Sequence, residues 1–333
     1  MTIDKPQINS ILNKDQLQEL GYLRERFNLS LIEIMEKTNK NHGKLDLSKV
    51  WQDTENLTEL FNQLSDLKTC VDSFRPLNSA QIQNLQETFD IEYTYESNRI
   101  EGNTLTLMET DLVINKGMTI EGKPLVDHQE AINHKDAVNY IREIVKKETE
   151  FDAKTLLDVH ALILQGIDRE NAGKYRNVRV RISGSKHICP NPMKVPDLMD
   201  EYFAFYQQNK DTMHPVELAA NMHEKLVSIH PFIDGNGRTA RLVMNLILLQ
   251  NGYPITIINS ERNKRLEYYQ ALEEAQLSEG SDNSQFQIFV AQYVKQWMFN
   301  YLNIFSANIG DEAKDKGYYF FKKIESLLLN KFN

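Results

Sequence analysis

Apolar residues recur at helical spacing along most of this chain, with charged residues between them. Leu17, Leu20, Leu23, Phe27, Leu31 and Ile34 predict amphipathic helix over 15–38. Leu57, Leu60, Phe61, Leu64, Leu67 and Val71 predict another over 53–75, with 39–43 as the connecting loop. Arg75 to Ser79 reads as a boundary, Ser79 being available as an N-cap. The next helix runs through Ile82, Leu85, Phe89 and Tyr93 and ends near Gly102. Helical patterns follow at 106–117, 127–149, 153–166 and 194–208, and then from Pro215 to Ile229, where Pro215 suits a first turn. Thr239 to Leu249 is apolar almost all round, the pattern of a helix buried in a bundle, and Gly252 and Pro254 close it. Further helices are predicted at 261–277, 285–304 and 316–330.

One stretch breaks the period. Over 173–192, Val178, Val180 and Ile182 alternate with Asn177, Arg179 and Arg181, as in a half-exposed strand. Ser183-Gly184-Ser185 can turn that strand back, so a small β-hairpin is expected here. With no other sheet to join, it would be a flap or lid. The fold class is therefore all-α with one hairpin.

Composition narrows the function. The chain has 333 residues, 41% hydrophobic and 26% charged, ordinary for a soluble globular protein of about two domains. A net charge of −9 argues against general nucleic-acid binding. Cys70 and Cys189 have no metal spacing, Met1 to Lys14 lacks the apolar core of a signal peptide, and no apolar run approaches the ~20 residues that span a bilayer. A cytoplasmic protein with no membrane partner is expected.

The chemistry concentrates in twelve residues from His230 to Arg241, HPFIDGNGRTAR. A glycine-flanked turn feeding a helix points backbone N–H groups at an anion. Arg238 and Arg241, three apart, share a helix face and can reach one polyphosphate. Asp234 is a hard oxygen ligand suited to Mg²⁺, and His230 can accept a proton near neutrality. Three rival readings fail. An EF-hand register from Asp234 puts Arg238 at the fifth ligand and Asn245 where the bidentate glutamate belongs; a register from Phe232 ends on Val243. Zinc would have His223 and His230 seven apart with no third ligand. Gly117 to Lys123 matches a Walker A loop only as far as Pro124, which removes the metal hydroxyl and breaks the helix.

His230 through Arg241 resembles the Fic signature at every fixed position. Tyr175-Arg176, His214-Pro215 and Gly252-Tyr253-Pro254 extend the resemblance over roughly 79–301. It implies a protein adenylyltransferase that moves AMP from ATP to Ser, Thr or Tyr hydroxyls of a target protein and of itself. His230 would be the base and Asp234 the Mg²⁺ ligand. Gly235, Asn236 and Gly237 would cradle phosphate, with Thr239 and Ala240 beside them, and Arg238 and Arg241 would hold the polyphosphate. The segment 177–187 resembles the family flap that holds the target by strand addition, with Gly184, Ser185, Lys186 and His187 nearest the nucleotide. Tyr268 and Tyr269 match a nucleoside-contacting pair, and Gln276 stands where some relatives carry an adenine-binding asparagine.

Ser97-Asn98-Arg99-Ile100-Glu101-Gly102 resembles the family's inhibitory motif. That implies a Glu101–Arg241 pair, which would deny Arg241 to the γ-phosphate and leave ATP in an unproductive pose. Inhibition would act in cis or within a homo-oligomer such as a homodimer. The implied organisation is an N-terminal helical subdomain (1–78), a catalytic domain (79–304) carrying the inhibitory helix (about 80–102), and a C-terminal extension (305–333). AMP removal by the same loop with Glu101 orienting water, and a nucleotide-responsive module without turnover, remain the alternative readings.

Overall fold

A computed structural model describes residues 12–37, 44–75, 79–278, 282–307 and 315–330. The loop expected at 39–43, residues 76–78 of the expected boundary, and residues 1–11 lie outside the described residues. The described chain is helical throughout: α1 (Lys14–Lys37), α2 (Leu57–Asp72), α3 (Ser79–Ile100), α4 (Leu107–Lys116), α5 (Leu125–Lys146), α6 (Ala153–Ile163), α7 (Val195–Asn209), α8 (Pro215–Ile229), α9 (Asn236–Gln250), α10 (Arg262–Leu277), α11 (Ser284–Ala307) and α12 (Tyr318–Asn330). Among the described residues no helix is long and apolar enough to cross a membrane.

The chain divides into two compact units, one of residues 83–294 and one formed by residues up to 82 together with those from 295 onward. The smaller unit is built on the apolar stripe of α1. Leu20, Leu23 and Phe27 are buried, and Phe27 meets Phe320 and Phe321 of α12 edge-on. Leu60, Leu64 and Leu67 of α2 complete that core. Trp51 donates its indole N–H to Asp66 at 2.9 Å, so the ring is buried without an unmet polar atom.

The larger unit is arranged around α9, which packs against α5, α6 and α8. Its side chains are buried from Arg238 to Leu248, as the all-round apolar pattern predicts. Asn245 exchanges two hydrogen bonds with Thr256 (2.9 and 2.7 Å), which fastens the segment after the helix to its core face. Local signals set the boundaries. Thr106 and Glu109 form a reciprocal capping box on α4, and Pro215 occupies the first turn of α8.

The expected β-hairpin does not form. Residues 177–191 leave the helical bundle as an irregular loop, and no strand occurs among the described residues. The physical reason is that Arg176 takes the carbonyls a ladder would use. Its guanidinium donates to Val178 O on the outgoing arm (2.9 Å) and to Pro190 O on the returning arm (2.8 Å). A turn bond from Ser185 N to Ile182 O survives at the tip. The two arms are thus joined through one side chain instead of through backbone pairing.

Candidate active site

His230 terminates α8 in the left-handed conformation (φ 51°), its N–H bonded to Leu226 O at 2.9 Å. The ring Nδ1 lies 3.2 Å from Val227 O, so Nδ1 carries the hydrogen and Nε2 keeps its lone pair. Burial lowers the His230 pKa below the ordinary histidine value, and the nearby Arg176 and His187 push the same way. The histidine is therefore neutral, with an acceptor nitrogen to offer, at neutral pH.

The turn after it is rigid. Phe232 is fully buried and stacks on His160 with centroids 3.6 Å apart and rings 8° from parallel. His160 Nδ1 accepts from Gly173 N (3.0 Å), so its Nε2–H donates to Asp234 O (3.0 Å). Burial lowers the His160 pKa to about 4, which keeps that tautomer uncharged. Asn236 closes the turn by bonding both N and O of Phe232 at 2.9 Å. Its side chain is thereby consumed, leaving only its backbone to face an anion. Gly235 is left-handed (φ 79°), a conformation that favours glycine, and a Cβ there would also press on Ile163 and His160.

The two arginines share a helix face, as their spacing predicts, yet turn to different partners. Arg241 is 1% exposed. It donates to Ser97 Oγ (3.0 Å), Ser97 O (2.9 Å) and Glu101 Oε1 (2.7 Å). Burial opposes its charge, but the Glu101 carboxylate more than compensates, and the guanidinium pKa ends above its ordinary value. Arg238 donates to Glu130 Oε1 on α5 (2.8 Å) and to Asp234 Oδ2 (3.2 Å). Asn103 in turn donates to Glu130 Oε2 at 2.9 Å. The Glu101 carboxylate also occupies the space above Gly237, where a Cβ would overlap its Oε1. At the N-terminus of α9 the oxygen stands at a position that favours an anion. The Glu101–Arg241 pair that the resemblance implies is thus formed, at 2.7 Å.

Asp234 is 64% exposed at its side chain. One exposed carboxylate fits Mg²⁺, which takes one or two carboxylates together with substrate phosphates, and does not form an all-protein cage. No cluster of three metal-ligating side chains occurs among the described residues.

The 177–191 loop reaches back to the bundle. Glu273 on α10 accepts from Lys186 N (2.7 Å) and Ser185 Oγ (3.3 Å), and His187 Nε2 lies 2.8 Å from Ser228 O. Gly184 makes the turn at φ 79°. Beside this loop is a cavity of about 550 Å³ walled by Ile188, Leu198, Tyr202, Phe205 and Ile229, with Lys186, His187, Glu224, Ser228 and Gln276 among its polar groups. Such a volume and mixed lining suit a small organic ligand. Gln276 Nε2 is buried with no hydrogen-bond partner among the described residues. Burial raises the Glu224 pKa, and its Oε1 accepts from Ser228 Oγ at 2.6 Å.

Not every expected residue lies at the cavity or the anion cradle. Tyr268 is 1% exposed; its OH lies 3.0 Å from His223 Nε2 and 3.5 Å from Arg241 Nη1. Burial raises its pKa to about 12 and lowers that of His223 to about 3, so the phenol donates to a neutral ring. It braces Arg241 from behind. Tyr269 is 42% exposed and donates to Ile100 O at 3.1 Å, next to Glu101. Thr239 and Ala240 are fully buried. Arg176 stood in the sequence only as half of the Tyr175-Arg176 pair that carries the resemblance; Glu130, His160, Glu224 and Glu273 were not singled out. Each meets its partner across a gap in the chain, except Glu224, whose i,i+4 spacing to Ser228 was legible on the helix.

This assembly, a left-handed histidine leading into a glycine-rich anion cradle at the N-terminus of a buried helix, defines the class. The sequence profile of the Fic/DOC family matches residues 150–248, spanning the loop and the signature. The chain is 30% identical to Fic-1 (residues 134–508) from C. elegans, covering 76% of this chain and 74% of that one with a TM-score of 0.68. A Fic domain containing signaling protein from Bacteroides thetaiotaomicron is 28% identical, covers 77% of this chain and 96% of its own, and superposes with a TM-score of 0.63. "Protein adenylyltransferase Fic" of Drosophila grimshawi is 33% identical over 240 residues, and that of Culex quinquefasciatus 34% over 220. The chain spans about half the length of these curated relatives (48% and 43%). The protein belongs to the Fic/DOC family.

Proposed function

We propose that this protein is an adenylyltransferase that moves AMP from ATP to a Ser, Thr or Tyr hydroxyl of a protein, held in check by Glu101. The observation that carries the reading is the free Nε2 of His230 on a turn that leads directly into an anion cradle already filled by a carboxylate. Curated relatives named protein adenylyltransferase support it.

The acceptor hydroxyl gives its proton to His230 Nε2 while its oxygen attacks the α-phosphorus. The bond to the α–β bridging oxygen breaks and pyrophosphate leaves with the electron pair. The neutral tautomer and lowered pKa of His230 leave the lone pair available at neutral pH, and a positioned base contributes typically 10²–10⁴-fold. Backbone N–H groups at the start of α9 and the Arg238 and Arg241 guanidiniums neutralise phosphate charge. Mg²⁺, held by Asp234 and the phosphates, would add Lewis-acid charge to that neutralisation. The nucleoside would lie in the cavity bearing Lys186, His187 and Gln276, and the target would lie along 177–187. The same reading includes assembly as a homodimer. Two free cysteines fit a reducing compartment such as the cytoplasm.

The test uses the full chain with the Glu101 carboxylate removed (Glu101→Gly) and magnesium. Label should pass from α-³²P-ATP to protein, not from γ-³²P-ATP, and should vanish on His230→Ala. Labelling that persists without His230 would sink the assignment. Release of AMP from a pre-labelled acceptor by the parent, faster than by Glu101→Gly, would instead favour AMP removal.

A further inference from the structure

Arg176 is 3% exposed, and among the described residues no carboxylate pairs with it. A buried guanidinium without a counter-charge is costly, so the groups around it must compensate. They are all carbonyls. Nε donates to His230 O at 2.7 Å, Nη1 to Val178 O at 2.9 Å, and Nη2 to Pro190 O at 2.8 Å and Ile229 O at 3.4 Å. Its backbone N–H adds a bond to Pro231 O at 2.8 Å. Ile229 O and His230 O lie at the C-terminus of α8, the negative end of that helix dipole, which favours a cation.

A helix end needs far less than this. A left-handed glycine with one or two backbone bonds is the common solution. Here the left-handed position belongs to His230, a residue with a Cβ penalty to overcome. The same guanidinium that satisfies the helix end also clasps both arms of the 177–191 loop. Only a planar fork with donors on three nitrogens can reach all of these carbonyls together. Building on the transferase reading of His230, we propose that Arg176 is a positioning residue that sets the 177–191 loop, and with it any acceptor lying along the loop, in register with His230.

Trypsin supplies a test, because Arg179, Arg181 and Lys186 are exposed on the loop. Full-length Arg176→Lys and Arg176→Ala are compared with the parent under native conditions. Lysine keeps the charge at the helix end but loses the fork, so it decides the matter if the alanine variant does not fold. The expected result is cleavage at 179, 181 or 186 at least tenfold faster in both variants. Nitrogen NMR should show the His230 ring passing from the Nδ1–H tautomer to a mixture. In the Glu101→Gly background, self-labelling should lose at least tenfold in kcat while KM for ATP changes less than threefold. Unchanged cleavage together with an unchanged His230 resonance in a folded Arg176→Lys would overturn the proposal. If protein carrying Arg176 takes no label at all, the transferase reading fails, and cleavage and NMR still decide the role of Arg176.

Discussion

Glu101 Oε1 and Arg241 Nη2 lie 2.7 Å apart, and the same oxygen covers Gly237 at the mouth of α9. One carboxylate therefore does two things: it engages a guanidinium and it fills the anion cradle. Hydrogen bonds to charged groups contribute about 1.5–3 kcal/mol, which corresponds to roughly 10- to 150-fold in an equilibrium. Glu101→Gly should raise the rate of self-labelling from α-³²P-ATP at least tenfold. Glu101→Gln, which keeps an oxygen acceptor but no charge, should fall between the two. Equal rates in all three proteins would mean that the contact does not restrain the enzyme.

Gly237 gives a second, opposite outcome at the same spot. A Cβ there would overlap Glu101 Oε1 and press on Arg241 Nη1 at 3.2 Å. Gly237→Ala should displace Glu101, yet in the proposed reaction the methyl group would also take the place of a phosphate oxygen. Labelling should therefore stay low, and in the Glu101→Gly background it should drop at least tenfold, with weaker ATP binding by calorimetry. A Gly237→Ala protein as active as Glu101→Gly would place the phosphates elsewhere.

These outcomes rest on features whose legibility in the sequence differed. Helix positions were readable because apolar spacing and caps are local, and α9 was recognisable as the buried element from its all-round apolar run. The Glu101–Arg241 pairing followed from motif resemblance, through the stretches 97–102 and 230–241. What stayed hidden was where side chains spend their hydrogen bonds. The alternation Val178, Val180, Ile182 suggested a hairpin, but Arg176 takes the Val178 and Pro190 carbonyls, and no local pattern announces that competition. Tyr268 read as a nucleoside contact; in the fold it is buried against His223 and Arg241. Glu130 meets Arg238 across 108 residues, a distance over which periodicity carries no signal.

That last pair can be tested for stability. Arg238 is 4% exposed at its side chain and Glu130 17%, so deleting the carboxylate leaves the buried guanidinium with only the exposed Asp234 as a counter-charge. Breaking such a pair typically costs about 3–5 kcal/mol. Glu130→Ala should lose about that much in urea unfolding, and Glu130→Gln less, because its amide oxygen can still accept from Arg238. Asn103→Ala should be milder again, since Glu130 keeps Arg238 when its Oε2 loses Asn103. A Glu130→Ala protein as stable as the parent would show that Asp234 alone satisfies Arg238.

Acid should weaken the fold before its carboxylates titrate. His134, His160 and His223 are all fully buried. Burial holds His160 at about 4 and His223 at about 3, and His134 well below the ordinary value. In the unfolded chain each binds a proton near pH 6.5, whereas in the folded protein none does until much lower pH. Between pH 6.5 and 5 the unfolded state therefore holds more protons, and stability must rise with pH and fall as pH drops. Each such histidine contributes up to about 1.4 kcal/mol per pH unit in that window. Urea midpoints measured at pH 7.5, 6.5, 5.75 and 5 should fall a little over the first step and more steeply thereafter. His223→Phe, which removes one of these groups and strands the Tyr268 hydroxyl, should be less stable at pH 7.5 and show a shallower decline. A slope as steep as the parent's would take His223 out of the account.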